Sequence, residues 1–455
     1  MYFVYSVLMT IAACVLAPYW LIQGLRHHKY LSNLKERLGM KYPGLAALQP
    51  DHERAIWLHA VSVGEVLSGV GLARRLKEKY PDRPLIVSTT TITGQELARE
   101  RMPFADALIY FPFDWRFSVR RALRAVQPAL IVIVETEIWP NFLREASRGG
   151  IDVVFVSGRI SERSYARYRK YLKLFGLYLR PFLRRVLSKP SAYLMQTEAD
   201  AQKIKALGAP GGRVYVSGNL KYDMEMPALT PLAQWLEGEV ARNQRRPIIV
   251  TGSVVATEEP LALIAFGVVQ GEFPKALLVL APRKPERFQA AADFIEESHR
   301  KYLRRSELDV AAPGKPEMAS NGTTISPDTT VLLLDSIGEL ASLYRLADGV
   351  FVGGSLVPGG GHNILEPAAF GKVPVFGPSM ENFAEMSQRF VAANAAVQVG
   401  SPEDAGVTWI ELLRNPERMK QMGEAGRRLV EESRGATDRA LQAAERFVPS
   451  AVAGR

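Results

Sequence analysis

The chain has 455 residues, 47% of them hydrophobic, and a formal net charge of +10. This length predicts two or three domains with large cores, and the single cysteine, Cys14, excludes a disulfide framework or a cysteine metal cluster. The positive charge favours acidic partners, which are nucleic acid, anionic lipid or an acidic substrate.

The first segment, Tyr2 to Leu25, contains no charged side chain and is mostly apolar. About 20 such residues are enough to span a bilayer as a helix. Basic residues, among them Arg26 and Lys29, precede the first acid, Glu36, and place the following domains on the cytoplasmic side. A cleaved signal peptide lacks support, because no charged region precedes the run and no small-residue cleavage site follows it. The pattern predicts a transmembrane anchor over residues 1–25, with a buried helix as the alternative.

Apolar runs then alternate with helical stretches, which predicts a parallel sheet that is buried on both faces. Together they define a Rossmann-like domain over residues 26–222. The predicted strands of this first half are Ala55–Val63, Pro84–Thr91, Ala107–Phe113, Ala129–Glu135, Ile151–Ser157, Ala192–Gln196 and Arg213–Ser217.

Residues 223–246 interrupt this alternation with a polar, proline-containing run and are predicted to link two domains. The alternation restarts over residues 247–430, with a surface loop at Ser306–Asp328, and a helical tail follows at 431–455. The predicted strands are Ile248–Thr251, Ala276–Ala281, Thr330–Asp335, Gly349–Val352 and Pro374–Phe376. Two doubly wound halves of this kind hold a ligand at the carboxyl ends of their strands, in the cleft between the domains.

The first polar strand end is His59 to Val66, with the sequence HAVSVGEV. Glu65 lies where the next helix begins, faces the predicted cleft, and could act as the general base for an acceptor hydroxyl. The alternative is a solvated glutamate that the helix dipole favours. A serine hydrolase is disfavoured, because Ser62 and His59 would point to opposite faces of one strand and no Gly-x-Ser-x-Gly motif surrounds Ser62.

Two later strand ends of the same half also carry charge. Glu135 and Glu137, in ETEIWPN, suit a paired acid and base, a weakly supported metal site, or caps of the next helix. Arg159, Ser161 and Arg163, in SGRISERS, suit an anionic acceptor. We predict that Glu137 joins these three residues in binding the acceptor.

The segment Tyr165–Pro190 carries eight basic residues and no acid, with tyrosine, leucine and phenylalanine between them. A basic amphipathic helix with aromatic residues favours an anionic membrane surface. A solvated helix face over a core stripe is the alternative. Nucleic acid would fit the charge, but the predicted anchor and the lack of a nucleic-acid-binding motif argue against it.

The strand ends of the second half carry groups that suit a nucleotide. Gly252 and Ser253 offer amide and hydroxyl donors to a phosphate. Pro282 and Arg283 end the next strand with a stiff turn and a cation that could bind a leaving phosphate. Further along, Ser336–Leu340 could present its backbone to a base or a ribose.

The longest motif of this half is VGGSLVPGGGHNILEPAAFGKVPVFGP, at Val352–Pro378. Its glycines, including Gly354 before Ser355, let a ligand approach the backbone, and a helix predicted to start at His362-Asn363 would seat a phosphate. Glu366, one turn later, suits sugar hydroxyls. A phosphate seat beside a hydroxyl acceptor indicates a nucleotide, and the lack of a Gly-Lys-Ser/Thr ending excludes an ATPase-type loop.

These motifs together resemble the 3-deoxy-D-manno-octulosonic acid (Kdo) transferases of Gram-negative bacteria, a lipid A core glycosyltransferase family. HAVSVGEV, ETEIWPN, SGRISERSY, TGS, APRKPERF, DSIGEL and the glycine-rich motif occur in this order over residues 55–380. The resemblance implies an α/β architecture of the GT-B type, with two Rossmann-like domains. It also implies transfer of Kdo from CMP-Kdo to the lipid A precursor, lipid IVA, at the cytoplasmic face of the inner membrane.

Carried over by motif, Glu65 matches the general base of that family. The segments that contact CMP match Pro282, Arg283, Ile337, Gly338, Glu339, Asn363, Ile364, Leu365 and Glu366 of this chain. The implied reaction inverts the anomeric centre, and stabilisation of charge by Arg283 and helix dipoles would make a metal or other cofactor dispensable. The alternatives are a GT-B transferase that uses a UDP-sugar on a lipid acceptor, and a non-catalytic, membrane-tethered nucleotide-sugar-binding protein.

Overall fold

The computed structural model describes residues 1–27, 33–46, 48, 53–223, 228–311 and 324–449, with residues 16–27 as backbone only. The chain divides into two compact units. Unit 1 comprises Met1–Met224 and Ser433–Arg455, and unit 2 comprises Glu225–Glu432. Of the predicted loop Ser306–Asp328, residues 312–323 lie outside the described residues.

Unit 1 contains one sheet of parallel strands, as the alternation predicts. Its strands are β1 (Ala55–His59), β2 (Leu85–Thr89), β3 (Ala107–Tyr110), β4 (Pro128–Val134), β5 (Asp152–Gly158), β6 (Ala192–Met195) and β7 (Val214–Val216). They lie in the order β3-β2-β1-β4-β5-β6-β7, and every neighbouring pair is parallel. The reversal of strand order between β1 and β4 is the switch point at which folds of this type bind ligands.

Helices cover both faces of this sheet. They are α1 (Tyr2–His27), α2 (Leu34–Arg37), α3 (Val63–Lys79), α4 (Ile92–Arg101), α5 (Arg116–Val126), α6 (Pro140–Arg148), α7 (Glu162–Leu187) and α8 (Glu198–Leu207). Successive residues of a strand point to opposite faces, so Trp57 joins the core on one side and Leu58 the core on the other. Because both sides are covered, the central strand β4 is apolar throughout.

Unit 2 repeats this architecture with a second sheet. Its strands are β8 (Ile248–Val254), β9 (Leu277–Pro282), β10 (Lys301–Arg304), β11 (Thr329–Leu333), β12 (Gly349–Val352), β13 (Pro374–Phe376) and β14 (Val397–Gln398). They lie in the order β10-β11-β9-β8-β12-β13-β14, again with every neighbouring pair parallel. Two parallel-sheet α/β domains are therefore present, as the sequence predicts.

The helices of unit 2 begin inside the stretch that we predicted to be a linker. They are α9 (Pro231–Asn243), α10 (Glu259–Glu272), α11 (Phe288–Glu297), α12 (Leu340–Leu343), α13 (Leu365–Ala369), α14 (Ala384–Ala392), α15 (Pro402–Arg414) and α16 (Pro416–Ser433). Leu232 and Leu236 of α9 are buried, and the carboxylate of Glu239 accepts the N–H of Ile325 at 2.7 Å. Most of residues 223–246 thus pack into unit 2, while 224–227 lie outside the described residues.

The C-terminal residues after α16 belong to unit 1 and do not form a separate tail. They contain α17 (Ala436–Glu445), whose buried Ala440 joins the core on the α3 side of the sheet. Asp223 accepts the N–H of Gly435 at 2.5 Å, and Arg439 Nε donates to the carbonyl of Ser217 at 2.7 Å. A helical pattern predicts α17 correctly but does not say against which sheet it packs.

Helix α1 is a single helix, as expected, and its Tyr2 and Tyr5 side chains contact other elements of unit 1. Tyr2 meets Phe182 of α7 edge to face, with ring centroids 5.2 Å apart. The hydroxyl of Tyr5 donates to Asp114 at 3.0 Å. In the part of the chain that is described, no helix is long and apolar enough to cross a membrane. The predicted anchor over residues 1–25 is therefore not supported.

Candidate active site

Glu65 lies in the first turn of α3, the helix that follows the loop after β1. The strand predicted to reach Val63 ends earlier, at His59. The Glu65 carboxylate turns back onto this loop, where Oε2 accepts the N–H of Val61 at 2.7 Å and Oε1 accepts the hydroxyl of Ser62 at 3.0 Å. The residue is 7% exposed, and burial raises its pKa. The alternative of a solvated glutamate does not fit this burial.

Two further carboxylates and one lysine lie near Glu65. Glu135 and Glu137 follow the end of β4, and Lys221 Nζ is 3.4 Å from Glu135 Oε1. Burial is the main cause that raises the pKa of Glu65; the charge of Glu135 raises it further and the charge of Lys221 lowers it. Burial, reinforced by the charges of Glu65 and Glu135, raises the pKa of Glu137 to about 7. Near neutral pH the Glu137 carboxyl is therefore present in both its protonated and its ionised form.

A metal site at these carboxylates has no support in the described geometry. Within residues that the structure describes, no three acidic, histidine or cysteine side chains form a group that could hold a metal ion. Instead, the lysine ammonium at Lys221 provides the positive charge beside Glu135. That the reaction needs no metal stays a prediction.

The backbone at three strand ends is strained. Glu135 has φ 61°, Ser157 has φ 54°, and Ser253 of unit 2 has φ 57°. Residues other than glycine rarely adopt this left-handed region, at a cost of about 1–3 kcal/mol each, and they do so where the surroundings hold them. At Ser157 the Gln196 side chain provides this support, because its amide donates to the Ser157 carbonyl at 3.0 Å. Strain of this kind concentrates at functional sites.

The predicted acceptor residues of SGRISERS have different surroundings. The N–H of Arg159 donates to Thr136 Oγ1 at 2.8 Å, which joins this loop to the one that carries the acidic pair. Ser161 is the N-cap of α7 and accepts the N–H of Ser164 at 3.2 Å, so helix capping accounts for it. Arg163 is exposed in the first turn of α7. Their contact with an acceptor stays a prediction.

In unit 2, the glycine-rich motif binds a carboxylate of the protein itself. Glu258 is fully buried, and its two oxygens accept the N–H groups of Gly354 at 2.5 Å, Ser355 at 2.9 Å and Leu356 at 2.9 Å. The same carboxylate accepts the N–H of Val255 at 3.2 Å. A turn of consecutive amides is a common anion site. Here its anion is Glu258, so these amides are not free to bind a phosphate.

Further groups of this loop are also bonded within the protein. The N–H of Gly361 donates to the Gly354 carbonyl at 2.7 Å, and the N–H of Gly360 donates to Ser379 Oγ at 3.0 Å. The Ser355 hydroxyl is buried and bridges the Val352 carbonyl at 2.6 Å and the Gly377 N–H at 2.9 Å. The predicted donor contacts at Gly354 and Ser355 are thus structural bonds here, and a ligand must use other groups nearby.

The helix predicted to start at Asn363 is short. It comprises five residues, Leu365–Ala369, and the side chain of Asn363 precedes it by accepting the N–H of Leu365 at 3.1 Å. So short a helix has too few aligned peptides to form a strong phosphate seat. Ile364 and Leu365 are buried in the unit. The short helix therefore gives little support to the predicted phosphate site. The side chains around it can still bind a ligand.

Charged side chains gather beside this short helix. Burial raises the pKa of Glu366, whereas the hydrogen bond from Asn363 at 3.4 Å and the charge of Arg283 lower it. Arg283 follows the buried Pro282 at the end of β9, and its side chain is exposed. Among the described residues it makes no ion pair within 4.0 Å. The structure thus brings Arg283, Asn363 and Glu366 together, with the guanidinium open to a ligand.

The segment Ile337–Glu339 can offer only its backbone and Ile337. Glu339 is fully buried and receives two bonds from Arg305, Nε to Oε2 at 2.8 Å and Nη2 to Oε1 at 3.1 Å. Gly338 has φ 94° and open space where a side chain would stand, and Ile337 is 49% exposed. That this turn presents its backbone to a base or ribose stays a prediction.

Close packing explains the glycine at the end of β8. A Cβ on Gly252 would lie 1.9 Å from the hydroxyl oxygen of Tyr344, so only glycine admits that buried ring. Ser253 follows in its strained conformation and is half-buried. Burial raises the pKa of the Tyr344 hydroxyl, and the nearby charge of Glu366 raises it further. Close packing against Tyr344 therefore accounts for the glycine at position 252.

Sequence reasoning missed three residues that the geometry singles out. They are Lys221, Glu258 and His362. Lys221 and Glu258 lie far along the chain from the groups that they contact, so no local motif marks them. His362 lies inside the glycine-rich motif, where its position before Asn363 indicates only the start of a helix.

Comparison with known proteins gives the chain its relatives. Residues 32–224 match the family model described as 3-deoxy-D-manno-octulosonic-acid transferase (kdotransferase). A 3-deoxy-D-manno-octulosonic acid transferase of Haemophilus influenzae is 32% identical over 444 residues, which cover 96% of this chain and 97% of that protein.

Solved structures similar to this chain include a domain of a related protein and a more distant two-domain enzyme. The C-terminal CMP-Kdo binding domain of WaaA from Acinetobacter baumannii is 30% identical and covers 44% of this chain and 95% of its own, with a TM-score of 0.39. A putative UDP-N-acetylglucosamine 2-epimerase from Listeria monocytogenes has a TM-score of 0.54 at 12% identity, covering 86% of this chain and 95% of its own. The second likeness concerns the fold alone, which is a pair of Rossmann-like domains.

Proposed function

Because the chain belongs to the family of Kdo transferases, which are glycosyltransferases of lipopolysaccharide core biosynthesis, we propose that it moves Kdo from CMP-Kdo to lipid IVA with Glu65 as the general base. The reaction inverts the anomeric centre. The observation that carries the assignment of the base is the buried carboxylate of Glu65, held by two hydrogen bonds beside two other carboxylates.

Glu65 has the properties that a base for a sugar hydroxyl needs. Its two bonds fix the carboxylate, so no reorientation is required when the acceptor binds. Burial raises its pKa, which strengthens it as a base, while the charge of Lys221 favours its ionised form. In the step, the acceptor hydroxyl gives its proton to Glu65 as its oxygen attacks the anomeric carbon of Kdo. The bond from that carbon to the CMP phosphate breaks, and the phosphate keeps the electron pair.

The donor is assigned to unit 2. Arg283 is exposed and without an ion pair among the described residues, so it can stabilise the charge that develops on the departing phosphate. Glu366 suits the ribose hydroxyls, and the exposed turn at Ile337–Gly338 suits the base. Stabilisation of this kind makes a metal at the leaving group dispensable, which we keep as a proposal together with the absence of any other cofactor.

The acceptor is assigned to unit 1. Arg159 and Arg163 follow β5 and supply cations for the phosphates of lipid IVA. Glu137, which is partly protonated near neutral pH, can exchange a hydrogen bond with a sugar hydroxyl in either direction. These contacts explain why a basic protein suits an acceptor with negative headgroups.

We also propose that unit 1 rests on the cytoplasmic face of the inner membrane. The outer face of α1 exposes apolar side chains, and the middle of α7 exposes others between its basic residues. They are Phe3, Val4, Val7, Leu8, Ile11 and Val15 of α1, and Tyr171, Leu174, Phe175, Leu177 and Tyr178 of α7. The two helices belong to the same unit and touch through Tyr2 and Phe182. An apolar surface with lysine and arginine and no acid fits anionic lipid.

A nucleotide competition experiment tests the donor. CMP is expected to protect unit 2 from hydrogen exchange around Arg283 and the glycine-rich loop, and UDP at the same concentration is expected to protect it much less. Equal protection by UDP would favour a UDP-sugar transferase and contradict the proposal.

A further inference from the structure

One polar atom beside the donor residues has no partner of its own. His362 Nε2 is buried and forms no hydrogen bond in the part of the chain that the structure describes. Leaving such a group unpaired costs about 1–3 kcal/mol, so an unpaired group in a folded protein calls for an explanation.

The glycine-rich loop is shaped to admit this ring. A Cβ on Gly354 would lie 3.0 Å from both Cδ2 and Nε2 of His362, and Gly354 has φ 68°. Any other residue at 354 would press on the imidazole and strain the backbone. The missing side chain at Gly354 therefore keeps room for the nitrogen that has no partner.

The neighbours of His362 indicate what it binds. Burial, and then the positive charge of Arg283, lower its pKa to about 4, so the ring is neutral at physiological pH. A neutral imidazole carries one N–H and binds an anion by donating it, without adding a second charge. The next cation, Arg283, is exposed and makes no ion pair among the described residues. An anionic oxygen would satisfy both groups.

Five N–H groups of the glycine-rich loop are already bonded within the protein. Glu258 holds the N–H groups of Gly354, Ser355 and Leu356, and the N–H groups of Gly360 and Gly361 are also bonded within the protein. These five N–H groups are therefore unavailable to an anionic ligand at this strand end. His362 and Arg283 lie near each other there and can take their place.

We propose that His362 Nε2 hydrogen-bonds an anionic oxygen of the nucleotide-sugar donor, so that the imidazole and Arg283 replace the backbone amides that Glu258 occupies. This inference rests on the proposed donor, CMP-Kdo. The oxygen belongs to the phosphate of CMP or to the carboxylate of Kdo, and we expect the phosphate, because Arg283 is assigned to it.

The test compares two variants by binding and by thermal stability. His362→Phe keeps a flat ring of similar size and removes the unpaired nitrogen. We expect its affinity for CMP to fall by about ten- to one-hundredfold, the loss of one hydrogen bond to a charged group, while its melting temperature stays the same or rises. His362→Gln places an amide N–H near the position of Nε2 and should restore most of the affinity.

A matched control is His299→Asn, at an exposed histidine of the same unit with φ 55°, which should change neither quantity. A loss for CMP-Kdo without a loss for CMP would assign the contact to the Kdo carboxylate and retain the anionic oxygen. Unchanged affinity of His362→Phe for both ligands would overturn the inference. So would a lower melting temperature in His362→Phe and His362→Gln alike, because the ring would then serve the fold.

The wild-type protein separates this inference from the proposed function. If the wild type binds neither CMP nor CMP-Kdo by calorimetry, the proposed donor is wrong and this inference falls with it. If the wild type binds both and His362→Phe binds them equally well, only the role of His362 is wrong.

Discussion

Replacing Glu65 with glutamine tests the base with little disturbance of the fold. The glutamine carbonyl can still accept the N–H of Val61, and its amide can donate to the Ser62 hydroxyl, so both bonds of the loop persist. The change also removes a buried negative charge near Glu135 and Glu137. We therefore expect the free energy of unfolding to stay within about 1 kcal/mol of wild type or to increase.

The rate should fall, because the amide cannot accept the hydroxyl proton. Loss of a general base costs about 10²–10⁴-fold, or about 3–5 kcal/mol in the barrier. Glu137 feels the charge of Glu65 and has a pKa of about 7, so a second, partly ionised carboxylate remains in the cluster. We expect this neighbour to leave some activity and the loss in kcat to be about 10²–10³-fold.

The assay is steady-state transfer from CMP-Kdo, with CMP affinity measured in parallel by calorimetry. CMP affinity should be unchanged, since Glu65 belongs to unit 1 and the donor residues to unit 2. Glu198→Gln is a matched control, at an exposed glutamate in the first turn of α8 of the same unit, and should retain full activity. Wild-type kcat in a folded, CMP-binding Glu65→Gln would refute the assignment of the base.

Three further outcomes follow from the same contacts. Lys221→Met removes a charge that lowers the pKa of Glu65, so the pH below which kcat/KM declines should move upward. A pH profile whose decline at low pH is unchanged would contradict this influence of Lys221. Arg305→Met leaves the fully buried Glu339 without its cation, so the free energy of unfolding measured in urea should fall by about 3–5 kcal/mol. The double variant Arg305→Met, Glu339→Leu should recover part of this loss. Leu177→Ser should weaken sedimentation with vesicles that contain anionic lipid and leave transfer to a detergent-dispersed acceptor unchanged; equal sedimentation would count against the membrane surface.

The strands and their parallel pairing could be predicted because they are encoded locally. Ile248–Val250 and Pro128–Val134 are apolar throughout, a pattern typical of strands that are covered on both faces. Strand ends with glycine, charge or hydroxyl groups could likewise be located without a structure. The structure then placed Glu65 and Glu137 close enough for their charges to interact, as a shared strand edge predicts.

The remaining features depend on contacts between distant residues. Glu258 lies 96 positions before Gly354, whose amide it binds. The glycine-rich motif by itself therefore indicates an open phosphate site. Helix α17 has an ordinary helical pattern, and nothing in it says that it returns to unit 1. The apolar run after Tyr2 predicted a span, yet Tyr2 and Tyr5 make specific contacts with unit 1 that composition does not reveal.

The central claim is the transfer of Kdo from CMP-Kdo to a lipid A precursor. It is tested most directly by mass spectrometry of the product formed from CMP-Kdo and tetra-acylated lipid IVA. We predict a product heavier than the acceptor by one or more Kdo residues, formed by the wild type and nearly absent with Glu65→Gln. An acceptor of unchanged mass after incubation with folded, CMP-binding wild-type protein would contradict the account.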